Sequence, residues 1–541
     1  MKRARALFAV LLVMLVACSI VDPFPDLADT PPVEPEAGAP DVMTPNNDGA
    51  VGVCRPGETR SCGFEACQGV ERCSDVGTWA RCDARDASVE LCSTALDESC
   101  DGVGACTGEQ RWLVASSDPL EQRATSITTD PEGNVYVIGT FLGDFVLGGV
   151  KVLQGGAAGQ LDSFVAKISR GGTVLWLKSV VDTRLYAMSA GDNDFIAAGN
   201  VTGASEGGEC GPIESHGNSN VIVTRWSFAG KCTKAKTYGG GTVDGAAIDR
   251  ATDDVVVAGH LNDTITFGGT AEVLNATTVP GVFSSFVGRV GPDLVGKTAT
   301  SFDAVRIDVR ALAVAPDGHV ALSGVGGDGP FGLSGAGAWL ATFDRAGART
   351  AAIRITNDIS GYNLGAMVFT RDNHLVIGGS FSEIFDLSPW GGPVLEPVQQ
   401  RSLDLFLFRT KVDLLAIQGV AYGAAAEETV RGIAIDADDH LVVTGSLQHA
   451  NPDGGPANLG GSTLVAYPRS EVFVAKYGKA LEHVWSHGFG GPGIDTGTAV
   501  AVGPLGDVFA AGDVEGALDL DGGAPSDAGT AINVFVVRRR P

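Results

Sequence analysis

The decapeptide DPEGNVYVIG at 130–139 has six counterparts elsewhere in the chain, and one alignment without gaps takes in all seven. The others begin at Ala190 (AGDNDFIAAG), Arg250 (RATDDVVVAG), Ala315 (APDGHVALSG), Thr370 (TRDNHLVIGG), Asp436 (DADDHLVVTG) and Gly503 (GPLGDVFAAG). Each reads as a polar turn, then four mostly apolar residues rich in β-formers, then glycine, alone or after a small residue. A unit of about 60 residues repeated in this way buries its apolar faces against its neighbours. The expected fold is all-β, a seven-bladed β-propeller.

A second element repeats with the first. Asp162–Lys167 (DSFVAK) is matched by segments beginning at Asn220, Ser284, Gly337, Asp404, Glu471 and Asn533. Phe164 aligns with Ile222, Phe286, Trp339, Phe406, Phe473 and Phe535; Lys167 aligns with Arg225, Arg289, Thr342, Arg409, Lys476 and Arg538. Runs of β-branched and aromatic residues bounded by Gly, Asp and Asn predict strands. A third strand follows, as at Leu175–Ser179 and His483–His487, and a fourth precedes each turn, as at Ala311–Val314 and Gly432–Ile435. The last repeat stops at Pro541 without its outer strand, which would leave a bare sheet edge. Gln110–Ala115 (QRWLVA) resembles the Trp-bearing outer strands, so residues 108–541 are expected to form one ring closed by an N-terminal strand.

The ring is preceded by three other segments. Residues 1–17 carry Lys2, Arg3 and Arg5 and then an apolar stretch, the layout of a signal peptide. Leu15-Val16-Ala17-Cys18 looks like a lipobox, making Cys18 the expected lipidation site, and Ser19 after it favours the outer membrane. No later stretch is long and apolar enough to span a bilayer. Residues 18–53, rich in Pro, Asp and Glu and poor in aromatics, are expected to be a disordered tether. Residues 54–107 hold eight of the eleven cysteines: Cys54, Cys62, Cys67, Cys73, Cys82, Cys92, Cys100 and Cys106. On an exported chain without a CxxC pair, these predict a four-disulfide module of open connectivity rather than a zinc site. Cys210 and Cys232 remain, bracket the strand Val221–Ser227, and are expected to pair.

Most catalytic motifs fail on context. Gly291–Thr298 (GPDLVGKT) fits the phosphate-loop pattern, but the repeat register makes it a hairpin followed by a strand, where phosphate binding needs a helix N-terminus. His319, His374 and His440 all occupy the turn position of Asn134, which points to turn geometry rather than a metal site. His483 and His487 are expected at the surface. The recurring acid and base of DSFVAK-like strands (Asp162 and Lys167, Asp404 and Arg409, Glu471 and Lys476) occur too often for catalysis and are expected to hold blades together. Asp130, Asp192, Asp253, Asp317, Asp372, Asp436 and Asp438 are expected to cap their own turns. Without an intact DxDxDG loop, no cofactor is expected beyond weak calcium binding. No HExxH occurs. A formal charge of −26 argues against nucleic acid or anionic lipid as partner.

The whole layout, with lipobox, acidic tether, cysteine module and GNVYVIG-like and DSFVAKI-like strands, resembles bacterial seven-bladed propeller-repeat (SBBP-type) lipoproteins. The cysteine pattern from Cys73 through Trp79 and Cys82 to Asp97-Glu-Ser-Cys100-Asp101-Gly102 is similar to a module of myxobacterial surface proteins, in which Ser99 replaces an acidic residue. The resemblance implies fold and a lipid-anchored outer-membrane location but is silent on activity. The expected role is a non-enzymatic, monomeric surface module binding or scaffolding an extracellular protein or glycan. The alternative is a propeller hydrolase or lyase acting on polysaccharide or peptide. Catalysis would require residues unique to one repeat to converge at the centre, and the aligned repeats display no such outlier. Ligand specificity is then expected in the variable loops Thr202–Ser219, Thr270–Val282, Ser382–Arg401 and Gln448–Ser470, with Trp390 as candidate contact.

Overall fold

Five repeats fold into separate antiparallel four-stranded sheets, and repeats two and three share one seven-stranded sheet, described below as sheets 2 and 3. In this computed structural model the described residues are 55–64, 67–74, 78–79, 107–155, 159–203, 205–215, 219–305, 307–327, 330–356, 362–398, 402–449, 455–466, 469–491, 493–516 and 531–541. The signal segment, the whole tether with Cys18, and Cys54, Cys82, Cys92, Cys100 and Cys106 lie outside them. The described residues are all-β apart from three 3-10 turns, and no described helix is long and apolar enough to cross a membrane.

The chain divides into two compact units, Met1–Glu58 with Arg72–Ala80, and Thr59–Glu71 with Arg81–Pro541. In the first, Cys73 bridges to Trp79 and is disulfide-bonded. Thr59–Phe64 pairs with Cys67–Arg72 as a hairpin, whose strands contain Cys62 and Cys67.

The larger unit holds the repeats. Sheet 1 contains Gln122–Thr129, Val135–Phe141, Asp162–Ile168 and Val174–Val180. Sheet 2 contains Thr183–Ala190, Asp194–Val201 and Asn220–Ser227. Its fourth strand is the start of Cys232–Asp249, an 18-residue strand whose second half is the first strand of sheet 3. Sheet 3 continues with Asp254–Ile265, Val282–Val290 and Gly296–Val305. Sheet 4 contains Asp308–Val314, Val320–Gly326, Gly337–Phe343 and Arg349–Arg354. Sheet 5 contains Tyr362–Phe369, His374–Phe381, Asp404–Lys411 and Gln418–Tyr422. Sheet 6 contains Glu427–Ile435, Leu441–Gln448, Glu471–Tyr477 and His483–Phe489. Sheet 7 contains Thr496–Val502, Val508–Glu515 and Ile532–Arg539. The early strand Gln110–Ala115 supplies its fourth member, pairing Trp112 with Arg538 and Ala115 with Phe535.

Second and third strands are buried on both faces, as their unbroken apolar runs require: every residue of Val135–Phe141 and Gly337–Phe343 is buried. Seven core clusters result, each drawn mainly from two sheets consecutive in the order 1-2-3-4-5-6-7-1. First strands neighbour one another in the same cyclic order.

The glycine ending each repeated decapeptide has one physical cause. A Cβ at Gly139, Gly199, Gly259, Gly324, Gly379, Gly445 or Gly512 would fall on a carbonyl oxygen of the adjacent first strand. At Gly139, Gly379, Gly445 and Gly512 it would also strike the ring of Phe164, Phe406, Phe473 or Phe535. Only glycine admits that approach.

The recurring basic residue is an ion-pair anchor, but its partner is not the acid of its own strand. Lys167 pairs with Asp130 at 3.1 Å, Arg289 with Asp249 at 2.6 Å, Arg409 with Asp372 at 2.9 Å, Lys476 with Asp436 at 3.1 Å and Arg538 with Asp507 at 2.7 Å. All these carboxylates stand at the turn between first and second strands. Several of the same cations reach the next sheet: Lys167 donates to Phe228 O, Arg289 to Gly318 O and Arg538 to Arg170 O. Asp162 sits at the other end of its strand, where it accepts the amides of Gly155 and Asp182. The alternation of strand faces puts the two charges, five positions apart, on opposite faces and at opposite ends, beyond mutual contact.

Candidate functional site

The first strand of every sheet carries a β-bulge at the same height. The extra residues are Thr125, Tyr186, Asp244, Arg310, Leu364 with Gly365, Arg431 and Thr498 in sheets 1 to 7. A bulge re-aims its residue out of the pleat. All seven positions line one hollow of about 260 Å³. Two larger hollows of about 470 and 480 Å³ adjoin it, and Tyr186 lines all three. A cavity of about 960 Å³ runs between the same seven first strands toward the turn end, lined chiefly by small and aliphatic residues such as Ala190, Ala247 and Ala434.

The bulges are held by the preceding sheet. In sheets 1, 3 and 6 the amide just before the bulge residue is accepted by a polar side chain that follows the signature glycine of the neighbour. Val243 N donates to Asn200 Oδ1 at 3.2 Å, Val430 N to Ser380 Oγ at 3.1 Å and Ala124 N to Asp513 Oδ1 at 2.9 Å. The freed backbone donors are thereby satisfied. Burial pushes the Asp513 carboxyl up to about 7, against the pull of the Ala124 amide and Arg123.

In sheet 3 that position is His260, which takes a different part. Its Nδ1 lies 2.7 Å from Asp244 Oδ2 and its Nε2 lies 3.3 Å from Asp308 Oδ1, while Arg310 Nη2 reaches Asp308 at 2.5 Å. Burial alone would lower the imidazole, but the two carboxylates outweigh it and raise it to about 10. His260 is thus a cation at neutral pH, clamped between the bulge of sheet 3 and the start of sheet 4. Arg184 and Arg431 are exposed beside these hollows; among the described residues neither forms an ion pair. Tyr186, 39% exposed, lines the same hollows as an aromatic platform.

Arg184, Tyr186, Asp244, His260, Arg310 and Arg431 are the repeat-specific outliers that the aligned sequence did not display. A signal exists: the bulge residue lies five positions ahead of the repeated decapeptide in five repeats, at 125, 310, 365, 431 and 498. In sheets 2 and 3 the offset is four and six, which scatters the column.

The residues singled out from sequence fall elsewhere. Cys210 and Cys232 form a disulfide, with Cα atoms 5.0 Å apart, on the outer edge of sheet 2. Trp390 ends the 3-10 turn Ser388–Trp390 and packs half-buried on the core between sheets 4 and 5. Its loop is tied by Trp390 N to Leu387 O and Ile417 N to Trp390 O, so it acts there as packing. His319, His374 and His440 each face an aspartate of their own turn, at 2.9, 3.1 and 3.0 Å. Asp436, Asp438 and His440 bring ligand atoms within 4.8 Å of one another. Lys476 already supplies the cation at Asp436, whose Oδ1 also caps two amides. Asp130 and Asp317 likewise cap their turns. The GPDLVGKT segment is a hairpin closed by Gly291 N to Val295 O, and the strand Gly296–Val305 follows it.

His483 and His487 correct the expectation of surface placement. Both are half-buried and lowered by that burial, and His487 Nε2 contacts Thr107 O at 2.8 Å. Between them Trp485 is buried and donates to Pro541 O.

No protein-family model matches the sequence, and no curated protein matches it.

Proposed function

We propose that the seven sheets are the blades of a closed β-propeller and that the chain is a non-enzymatic binding or scaffolding module. Its ligand, a glycan or protein, would bind at the mouth that carries the bulged residues. Cyclic succession of the core clusters and completion of sheet 7 by Gln110–Ala115 support the closed ring. The ligand reading rests on one observation: Arg184, Tyr186, Asp244, Arg310 and Arg431 differ from repeat to repeat yet converge on one rim. Exposed arginine and tyrosine suit the hydroxyl and carboxylate groups of a glycan or an extended peptide. The enzymatic reading is weaker because His260 has both ring nitrogens against carboxylates and stays protonated near neutral pH, so it does not serve as a general base. Attachment to the outer membrane through Cys18, as in the lipoproteins the sequence resembles, belongs to the same proposal.

A glycan array and a pull-down with the full chain test it, using Tyr186→Ala and Arg431→Ala as paired variants. Both side chains are exposed, so the variants fold, and each reduces retention of the captured ligand at least about tenfold, near 1.4 kcal/mol. Equal retention by both variants overturns the placement of the site.

A further inference from the structure

We infer that a hard divalent cation, calcium by preference, binds between Asp404 and Glu428 and joins sheets 5 and 6. Asp404 opens the third strand of sheet 5 and Glu428 lies in the first strand of sheet 6. The backbone brings them side by side: Glu428 N donates to Leu403 O at 2.6 Å, and Ser402 Oγ to Ala426 O at 2.8 Å. Both side chains are fully buried. Each carboxyl group has one oxygen engaged by an amide, Val398 N on Asp404 Oδ2 and Asn458 N on Glu428 Oε1. The other two oxygens, Asp404 Oδ1 and Glu428 Oε2, are buried and meet no hydrogen-bond donor. Among the described residues no lysine, arginine or histidine pairs with either group.

Two buried acids with open oxygens and no counter-charge are costly unless they are protonated or share a cation. Burial indeed raises Asp404 to about 6 and Glu428 to about 9, with Asp404 adding to the rise at Glu428. The oxygen-only donor set is the kind that calcium takes, with backbone carbonyls and water completing the shell. Gly423 keeps room at the site, since a Cβ there would collide with the Asp404 carboxyl. The corresponding boundary between sheets 6 and 7 differs instructively. There Asp495 faces Glu471, but Asp495 Oδ2 takes the Gly491 amide and Oδ1 the Glu515 amide, leaving no open oxygen on it. Position alone therefore does not make the site; the two free oxygens do.

The test is thermal unfolding and calorimetric titration of the full chain at pH 8 after chelator treatment, with calcium chloride as probe and magnesium as comparison. Millimolar calcium raises the Tm of the native protein by a few degrees and titrates saturably, and magnesium does less. Asp404→Asn and Glu428→Gln abolish the calcium response, while Asp438→Asn in the turn cluster retains it. A Tm indifferent to calcium, together with no saturable heat, overturns the inference, and so does an unchanged response in Glu428→Gln. Should Glu428→Gln fail to fold, Glu428→Asp keeps the charge with a shorter reach and lowers calcium affinity at least about tenfold; unchanged affinity places the ion elsewhere. Variants that are more stable than the native protein and calcium-blind, beside a calcium-blind native protein, identify a protonated carboxyl pair instead.

Discussion

Trp112 should be the most informative residue of the seam where the two ends of the repeat region meet. Its indole lies over Gly172 in the hairpin of sheet 1, where a Cβ would collide with the ring, and Nε1 donates to Arg170 O at 2.7 Å. Trp176 lies over Gly230 of sheet 2 in the same way, so Trp112 performs between sheets 7 and 1 what Trp176 performs between sheets 1 and 2. Truncating a fully buried aromatic to alanine costs about 3–5 kcal/mol. Trp112 is half-buried and packs on Phe509 with centroids 6.0 Å apart, so about 2 kcal/mol is the share from packing. The lost hydrogen bond adds about 1 kcal/mol and no more, because Arg170 O still accepts from Arg538 Nη1 at 3.0 Å and is not orphaned. Trp112→Ala should therefore lower unfolding free energy by about 3 kcal/mol, and Trp112→Phe by about 1. Urea unfolding followed by tryptophan fluorescence and far-ultraviolet circular dichroism measures both. A loss below about 0.5 kcal/mol in Trp112→Ala, against a clear loss in Trp176→Ala, would refute the role of Gln110–Ala115 as a working strand.

His260→Gln should be destabilising in a pH-dependent way. The folded imidazole is raised to about 10 from an unfolded value near 6.5, so its stabilisation is complete below 6.5 and fades as pH climbs through 10. The gap between native and variant, on the order of 2 kcal/mol at pH 6, should close by pH 10 in parallel melts, and a constant gap counts against the clamp. Asp513→Asn should be neutral or stabilising at pH 8–9, since burial raises the folded carboxyl to about 7 and the charged form disfavours the fold above that pH. Replacing Cys210 and Cys232 with serine frees a loop of 21 intervening residues and should cost about 3 kcal/mol, read from denaturant melts with and without reductant. Cys18→Ser should release the chain from the membrane fraction or leave it uncleaved; unchanged partition and processing would contradict the lipobox.

What the sequence made legible is what every repeat must solve alike. Turn aspartates, second strands, third strands with their aromatic residue and the closing glycine recur because each has a single steric or electrostatic solution. Gly139 and its six equivalents face a carbonyl, and Lys167, Arg289 and Arg538 answer a buried turn carboxylate. The strand Gln110–Ala115 was legible for the same reason, because its tryptophan matches Trp176. Features built from differences were not. The strand Cys232–Asp249 passes between sheets through Gly239-Gly240-Gly241, a run that reads as a loop when each repeat is taken alone. The partner of Lys167 was misread because adjacency along a strand suggested Asp162, while the hairpin geometry supplied Asp130.

The bulge explains why shared and variable residues sit so close together. The closing glycine exists because the bulged first strand pushes a carbonyl toward the second strand, so the same distortion that fixes glycine at one position frees the residue beside it. In sheets 2, 3, 4 and 6 that freed side chain lines the hollow as Tyr186, Asp244, Arg310 or Arg431, whereas Thr125 and Thr498 turn their hydroxyls onto backbone carbonyls of their own and the neighbouring sheet. The amide before it is secured from the neighbouring sheet by Asn200, Ser380 or Asp513, so the rim is rigid although its chemistry varies. A rigid rim of interchangeable residues is what a binding surface needs, because ordering costs are met by the fold rather than by the ligand. It follows that exchanging exposed bulge residues between sheets, such as Tyr186→Arg with Arg431→Tyr, should alter ligand preference while leaving the melting temperature within a degree or so of the native protein. A large loss of stability in that exchange would mean that the bulge residues carry packing, and the separation of scaffold from rim would be wrong.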